Sequence, residues 1–307
     1  MNDIDQPLAG FLDLGIAELG VRFDPDGCRK LLALARARRE FGPHLFLSEE
    51  EFRGDPQLLG VSPRPGRNLI EPFDEALAFV EENSFFRALL DRLLGTGWEI
   101  LRKKLVCAIP EAWMPSWLLA HVQDYGIPNL GPFIRPEYRD LTYFHGIDFH
   151  QDLIDWAGRT ADFVTLYVYL DEVTPTQSPL HVLPGSHCHG GSVFPLAVER
   201  VGDCLWRYTD DRGRTLDLAE QVLTGSPGYA ATWHPCVIHG TRPNTGARER
   251  LSLRYLVTRG PGGGGLLDEV NALIDGPLRL EVTQRHRDAL GNVVIKGNAL
   301  LGSPRRG

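Results

Sequence analysis

Between Leu141 and about Thr258 the chain repeats one pattern: short β-type runs, among them DFVTLYVYL, GYAATW, CVIHG and RLSLRYLV, separated by turn segments such as TPTQSPL and LPGSH. No amphipathic helix lies between these runs, whereas each crossover of a parallel α/β sheet needs a dozen or more residues and usually a helix. The pattern therefore predicts an antiparallel jelly-roll or barrel.

The first hundred residues read differently. Asp24-Pro25 offers a helix cap and a proline for the first turn, and CRKLLALARARREF continues with apolar residues at helical spacing. Ser48 and Glu51 have the spacing of a capping box, and FDEALAFVEENSFFRALLDRLLG keeps a helical period up to Gly95. VSPRPGRN between them reads as a turn-rich connection. After residue 98, WEILRKKLVCAI is strand-like, and IPEAWMPSW and YGIPNLGPFIRPEY are aromatic loops punctuated by proline. We expect an α+β chain with one catalytic domain over 1–307. It comprises a mainly helical part (1–97), a β core with substrate loops (98–259), and a C-terminal extension (260–307) that begins at the flexible GPGGGG.

Composition narrows the function. Apolar residues make up 43% of the chain, enough for a sizeable core, and the net charge of −8 without a dense Lys/Arg block argues against a nucleic-acid partner. No apolar run approaches the roughly 18 residues of a membrane span, and MNDIDQPLAG has no signal-peptide character, so no membrane partner and a cytoplasmic location are expected. Cys28, Cys107, Cys188, Cys204 and Cys236 are scattered and never form a C-x-x-C pair, which predicts reduced packing residues. Oligomeric state is not legible.

The chemistry concentrates in FHGIDFHQDLIDW. His150 and Asp152 stand two apart, so on an extended chain both side chains leave the same face and can reach one cation. His239, 89 positions later in CVIHGTRPN, is the candidate third ligand. Two histidines and one carboxylate on one face of an octahedron leave three open positions, the arrangement that suits Fe(II) oxygenases.

Around these residues the sequence resembles the phytanoyl-CoA dioxygenase family over roughly residues 141 to 257. The shared features are HQD followed by Trp156, the acidic pair Asp171-Glu172, the loop from Leu183 to His187, and His239-Gly240-Thr241 leading to Asn244 and Arg250. The resemblance implies a double-stranded β-helix (jelly-roll, cupin-like) core with N-terminal helices packed on it. It also implies Fe(II) on His150, Asp152 and His239, with 2-oxoglutarate and O2 as cosubstrates. Arg250, eleven positions after His239, occupies the place of the family's cosubstrate-binding arginine, and Thr241 and Gln151 match positions that contact the cosubstrate in relatives. In RERLSLRYLV the strand alternation puts Arg250, Ser252 and Arg254 on one face. A guanidinium there can grip a carboxylate with two parallel hydrogen bonds. Arg242, Arg248 and Arg254 remain alternative clamps, Arg254 first among them.

The implied activity is hydroxylation or a related oxidation of an unactivated C–H bond in a small-molecule metabolite, such as one of specialised biosynthesis, with release of succinate and CO2. Asp152 keeps the carboxylate ligand, which argues against halogenation. His145, His181, His187, His189 and His234 are read as structural, and Lys103-Lys104 as a solvated pair. Trp113, Trp117, Tyr125, Phe133, Tyr138, Tyr143 and Phe144 are candidate pocket walls, at least half of which should instead pack helices onto the barrel. Residues Phe194 to Tyr208 read as a further insertion. Two rival readings are a cupin-type metalloenzyme that does not use 2-oxoglutarate and a non-catalytic small-molecule binder on the same scaffold.

Overall fold

The computed structural model describes residues 3–54, 69–122, 125–128, 130–284, 293–294 and 300–301. The stretch VSPRPGRN lies outside them. The helix starts are where their caps predict. Asp24 accepts hydrogen bonds from the backbone N–H groups of Asp26 and Gly27 (both 3.1 Å), and Ser48 and Glu51 cap each other reciprocally.

The N-terminal part holds α1 (Asp5–Leu14), β1 (Ile16–Val21), α2 (Pro25–Arg38), α3 (Glu49–Gly54), α4 (Ala78–Glu81) and α5 (Ser84–Leu94). The long periodic stretch ending at Gly95 is not one helix: Asn83 interrupts it and caps α5 by accepting from the Phe86 N–H at 3.0 Å. The strand β1 was not legible as such, because IAELGV is short and follows α1 after a single glycine.

The remaining elements are β2 (Glu99–Ala108), α6 (Ser116–Val122), β3 (Tyr125–Ile127), β4 (Thr142–Phe144), β5 (Ile147–His150), β6 (Phe163–Tyr169), β7 (Leu180–Leu183), β8 (Ala197–Gly202), β9 (Leu205–Thr209), β10 (Thr215–Ala219), β11 (Gln221–Leu223), β12 (Tyr229–Trp233), β13 (Ile238–Thr241), β14 (Arg250–Thr258), α7 (Leu266–Leu273) and β15 (Val293–Val294). A major sheet runs β1-β12-β6-β14-β2-β4 and a minor sheet β11-β7-β13-β5, every pairing antiparallel except that of β2 with β4. Strands β8 to β10 form a separate three-stranded sheet, so the expected insertion is folded.

The major sheet is covered on both sides. Val164, Leu166 and Val168 of β6 join Leu105, Leu253 and Tyr255 in the core shared with the helices, while Tyr167 and Tyr169 belong to the core between the sheets with Trp233, Leu180 and Val182. This explains why FVTLYVY is buried at every position although only its odd members face the minor sheet. The architecture is a jelly-roll with helices packed on its outer face. The C-terminal stretch is not inert, since the buried Leu300 donates its N–H to Asp148 Oδ1 at 2.7 Å, behind the His-x-Asp motif.

Candidate metal centre

Cross-strand register assembles the centre. His150 at the end of β5 lies opposite His239 on β13, and their rings are 4.3 Å apart. Gly240 permits this approach: a Cβ there would meet the Ile147 carbonyl oxygen at 2.7 Å. Asp152 follows His150 in a 3₁₀ turn, and one ligand atom from each of His150, Asp152 and His239 lies within 4.8 Å of the others, all three residues buried. Among the described residues no other group of three or more His, Cys, Asp or Glu is so placed.

The hydrogen bonds set each donor atom. His150 Nδ1 contacts the Asp148 carbonyl at 2.9 Å and His239 Nδ1 the Val237 carbonyl at 3.0 Å. A carbonyl only accepts, so both Nδ1 atoms carry the proton and both Nε2 atoms present a lone pair. Burial and the neighbouring His239 push His150 down to about 3, and burial lowers His239 too, so the rings are neutral. Burial alone would raise Asp152, but the Arg254 guanidinium, with the Thr165 hydrogen bond, outweighs it and holds the carboxyl well below its usual range. Its Oδ2 accepts from Thr165 Oγ1 and from Trp233 Nε1 at 3.0 Å, donors that are themselves cross-strand partners on β6 and β12. Its Oδ1 is left facing His239 Nε2 at 3.6 Å, with Arg254 Nη2 bonded to the same oxygen. Two neutral imidazole donors and one carboxylate oxygen, each oriented by a second partner, are the donor set a divalent iron ion takes.

Trp233 is therefore expected to matter although it is not a ligand. Trp233→Phe removes one of two donors on Asp152 Oδ2, and metal affinity should fall about 10–100-fold. A competition titration against a chromogenic chelator measures this, and an unchanged affinity would show that Thr165 alone suffices.

The cavity beside these residues lies between the two sheets. The major sheet contributes Lys104, Tyr167, Trp233 and Arg254, and the minor sheet His150, Leu180, His239 and Thr241, with Phe144 and Ile147 at the β4–β5 end. Thr241 lines it as expected, its Oγ1 accepting from the Ile147 N–H at 3.2 Å and keeping its own proton free to donate. Arg250 is fully buried at its edge. Nε donates to the Gln177 carbonyl (3.1 Å), Nη1 to Tyr167 Oη (2.8 Å) and Ser252 Oγ (2.7 Å), while Nη2 is buried without a partner. The second of these bonds ties Arg250 to a cavity wall, and the third confirms that Arg250 and Ser252 share a face. A buried unpartnered guanidinium N–H is costly unless an anion meets it, which is what a cosubstrate carboxylate would do.

Two expectations need correction. Gln151 does not line the cavity: its amide donates to the carbonyls of Gly190 (2.9 Å) and Cys236 (2.7 Å) and accepts from the Ser192 N–H (2.8 Å), stitching three loops behind the motif. The alternation that aims His150 and Asp152 inward turns the residue between them away. Lys103 and Lys104 are not a solvated pair, since Lys103 bridges Asp74 and Glu81 while Lys104 lines the cavity, where burial and then Arg254 lower it to about 8. The loop aromatics follow the expectation that at least half pack helices onto the barrel: of the seven only Phe144 lines the cavity. Phe133 and Tyr143 sit in the helix-side core, and Trp117 packs with Phe52 and Phe133.

The other histidines stay outside the centre. His145 meets Glu111, His181 meets Glu220, His189 lies 3.5 Å from Asp210, His234 meets Asn271, and His187 is buried.

Comparison with known proteins follows this geometry. Residues 144–252 match the family model for phytanoyl-CoA dioxygenase. A stretch of 129 residues is 32% identical to the L-proline trans-4-hydroxylase of Streptomyces griseoviridis, covering 36% of this chain and 47% of that protein. A stretch of 100 residues is 31% identical to the probable alpha-ketoglutarate-dependent hypophosphite dioxygenase of Stutzerimonas stutzeri, covering 32% and 34%. The chain thus spans less than half the length of either curated relative. Among solved structures, the epimerase SnoN in complex with Fe3+, alpha ketoglutarate and nogalamycin RO aligns with a TM-score of 0.51 at 14% identity, covering 94% of this chain and 97% of SnoN. That likeness shows the fold. Motif, register and family model agree on the same segment, residues 144–252, which is similar to the phytanoyl-CoA dioxygenase family.

Proposed function

We propose that this chain is an Fe(II)- and 2-oxoglutarate-dependent dioxygenase that oxidises an unactivated C–H bond of a small organic molecule. The observation that carries this reading is the convergence of two imidazole Nε2 lone pairs and one carboxylate oxygen, each fixed by a second hydrogen bond, beside a buried guanidinium with an unpartnered N–H. When bound, the iron centre with 2-oxoglutarate and O2 would supply the oxidising power, and the cosubstrate would leave as succinate and CO2.

The chain's own residues do the rest. His150, Asp152 and His239 hold the metal, and Arg250 takes the distal carboxylate of the cosubstrate, with the Thr241 hydroxyl as a second donor. Tyr167 and Ser252 keep Arg250 from turning away. Phe144, Ile147, Leu180 and Trp233 give the cavity apolar walls that exclude water from the reacting atoms. The relatives favour small substrates, since one is named for L-proline and the other for hypophosphite and alpha-ketoglutarate. One catalytic unit over the whole chain is consistent with a core shared by helices and major sheet. The five free cysteines suit a reducing compartment such as the cytoplasm. Among the described residues no helix is long and apolar enough to cross a membrane.

The test is anaerobic titration of the protein with Fe(II) and then 2-oxoglutarate. A visible charge-transfer band that needs both components is the expected result, followed by succinate release on exposure to air with a turned-over metabolite. Iron binding without any response to 2-oxoglutarate would move the protein to metalloenzymes of another type.

A further inference from the structure

Lys104, Arg254 and Tyr167 form one row across β2, β14 and β6, in direct register, and all three side chains line the cavity. Two cations opposite each other on adjacent strands repel, and here both are only half-exposed to water, so the pair calls for anions nearby. Arg254 has two: Asp152 Oδ1, and Asp155 Oδ2 at 3.6 Å. Lys104 makes no hydrogen bond or ion pair among the described residues.

The oxygen that Arg254 holds is the one facing His239, the oxygen a metal would take. A divalent cation there repels the guanidinium and commits the carboxylate to itself, so Arg254 keeps only Asp155 and Lys104 still has nothing. A dianionic cosubstrate on the metal and Arg250 does not close the account: three side-chain cations and the metal outweigh two carboxylates and the cosubstrate by one positive charge.

Resting on the functional reading above, we propose that Lys104 and Arg254 form an anion subsite beside the metal, and that the substrate is a small organic acid whose single carboxylate docks there. The subsite is distinct from the Arg250 clamp, which lies four residues away along β14, opposite Ala108 rather than Lys104. A carboxylate held by these two residues places the rest of the molecule against Phe144, Ile147 and Leu180, so the acid's own carbon skeleton faces the metal.

The experiment uses the full chain saturated anaerobically with Fe(II) and 2-oxoglutarate, which also occupies the Arg250 clamp. Calorimetry and perturbation of the charge-transfer band then compare a panel of small monocarboxylic acids, L-proline and butanoate included, with their primary amides. The expected result is binding of acids at least tenfold tighter than of the matching amides. Lys104→Met and Arg254→Met should each weaken acid binding about tenfold, measured at saturating Fe(II) and 2-oxoglutarate because Arg254 also bonds the ligand Asp152. In Lys104→Met, 2-oxoglutarate should still generate the band at a concentration within twofold of wild type, which also certifies that this variant is folded. Equal affinity for acids and amides, or no acid binding across the panel, overturns the subsite. Loss of 2-oxoglutarate affinity in Lys104→Met also overturns it, assigning that cation to the cosubstrate instead. Absence of the band in wild-type protein is a different failure, which removes the dioxygenase reading itself and the loaded-state charge argument with it.

Discussion

Asp152→Ala is expected to abolish iron-dependent turnover and to lower metal affinity by about 10²–10⁴-fold, as follows from sharing roughly 10–16 kcal/mol of site binding among the three protein ligands. The same change leaves Arg254 beside the emptied position with only the half-exposed Asp155 near it. Breaking a buried pair by removing one partner costs about 3–5 kcal/mol, so the metal-free variant should also melt at a lower temperature. The two effects separate in Asp152→Ala/Arg254→Met, where the stranded cation is gone. Thermal melts of the metal-free proteins should show part of the stability restored, while chelator competition shows metal binding still lost. Full metal affinity in Asp152→Ala would end the assignment of this carboxylate as a ligand.

Arg250→Ala should raise the KM for 2-oxoglutarate by on the order of 10²-fold or more, because hydrogen bonds to a charged group are worth about 1.5–3 kcal/mol each and a guanidinium offers two in parallel. Metal affinity should stay near wild type, since Arg250 makes no recorded contact with His150, Asp152 or His239. Arg250→Lys keeps the charge but not the planar fork, and an intermediate KM is expected. Steady-state succinate release at varied 2-oxoglutarate, with metal content checked separately, measures both. An unchanged KM in Arg250→Ala would transfer the clamp to Arg254, the alternative that strand alternation also allows.

How much of this was legible in the sequence depends on the range of the interaction involved. Local periodicity carried far: the caps at Asp24 and Ser48, the alternation that puts Arg250 with Ser252, and the i, i+2 spacing of His150 and Asp152 all act within one turn or strand. Alternation also points the Gln151 amide away from the metal, against the cosubstrate contact that the family resemblance implied. What stayed hidden depends on which strands become neighbours. Lys104 is one of two adjacent lysines, and nothing local says that its partner would find Asp74 and Glu81 while it met Arg254 across β14. Trp233 and Thr165 sit in ordinary β-type runs, and their shared hold on Asp152 exists only because β12 pairs with β6 in one register. A one-residue slip of β12 would turn Trp233 to the helix side and leave Asp152 Oδ2 with Thr165 alone.

The edge position of β1 has a consequence for how the molecule comes into being. Ile16 pairs with Trp233, so β1 must wait for β12, made much later, before its backbone is satisfied. Such distant pairings slow folding and leave an unsatisfied strand open to wrong partners in the meantime. In the folded sheet, the irregular register between Glu18 and Gly20, with an exposed acidic side chain near a glycine at φ 65°, makes the edge formed by β1 a poor template for a second copy. Once paired, the strand thus guards the molecule's open flank against self-association.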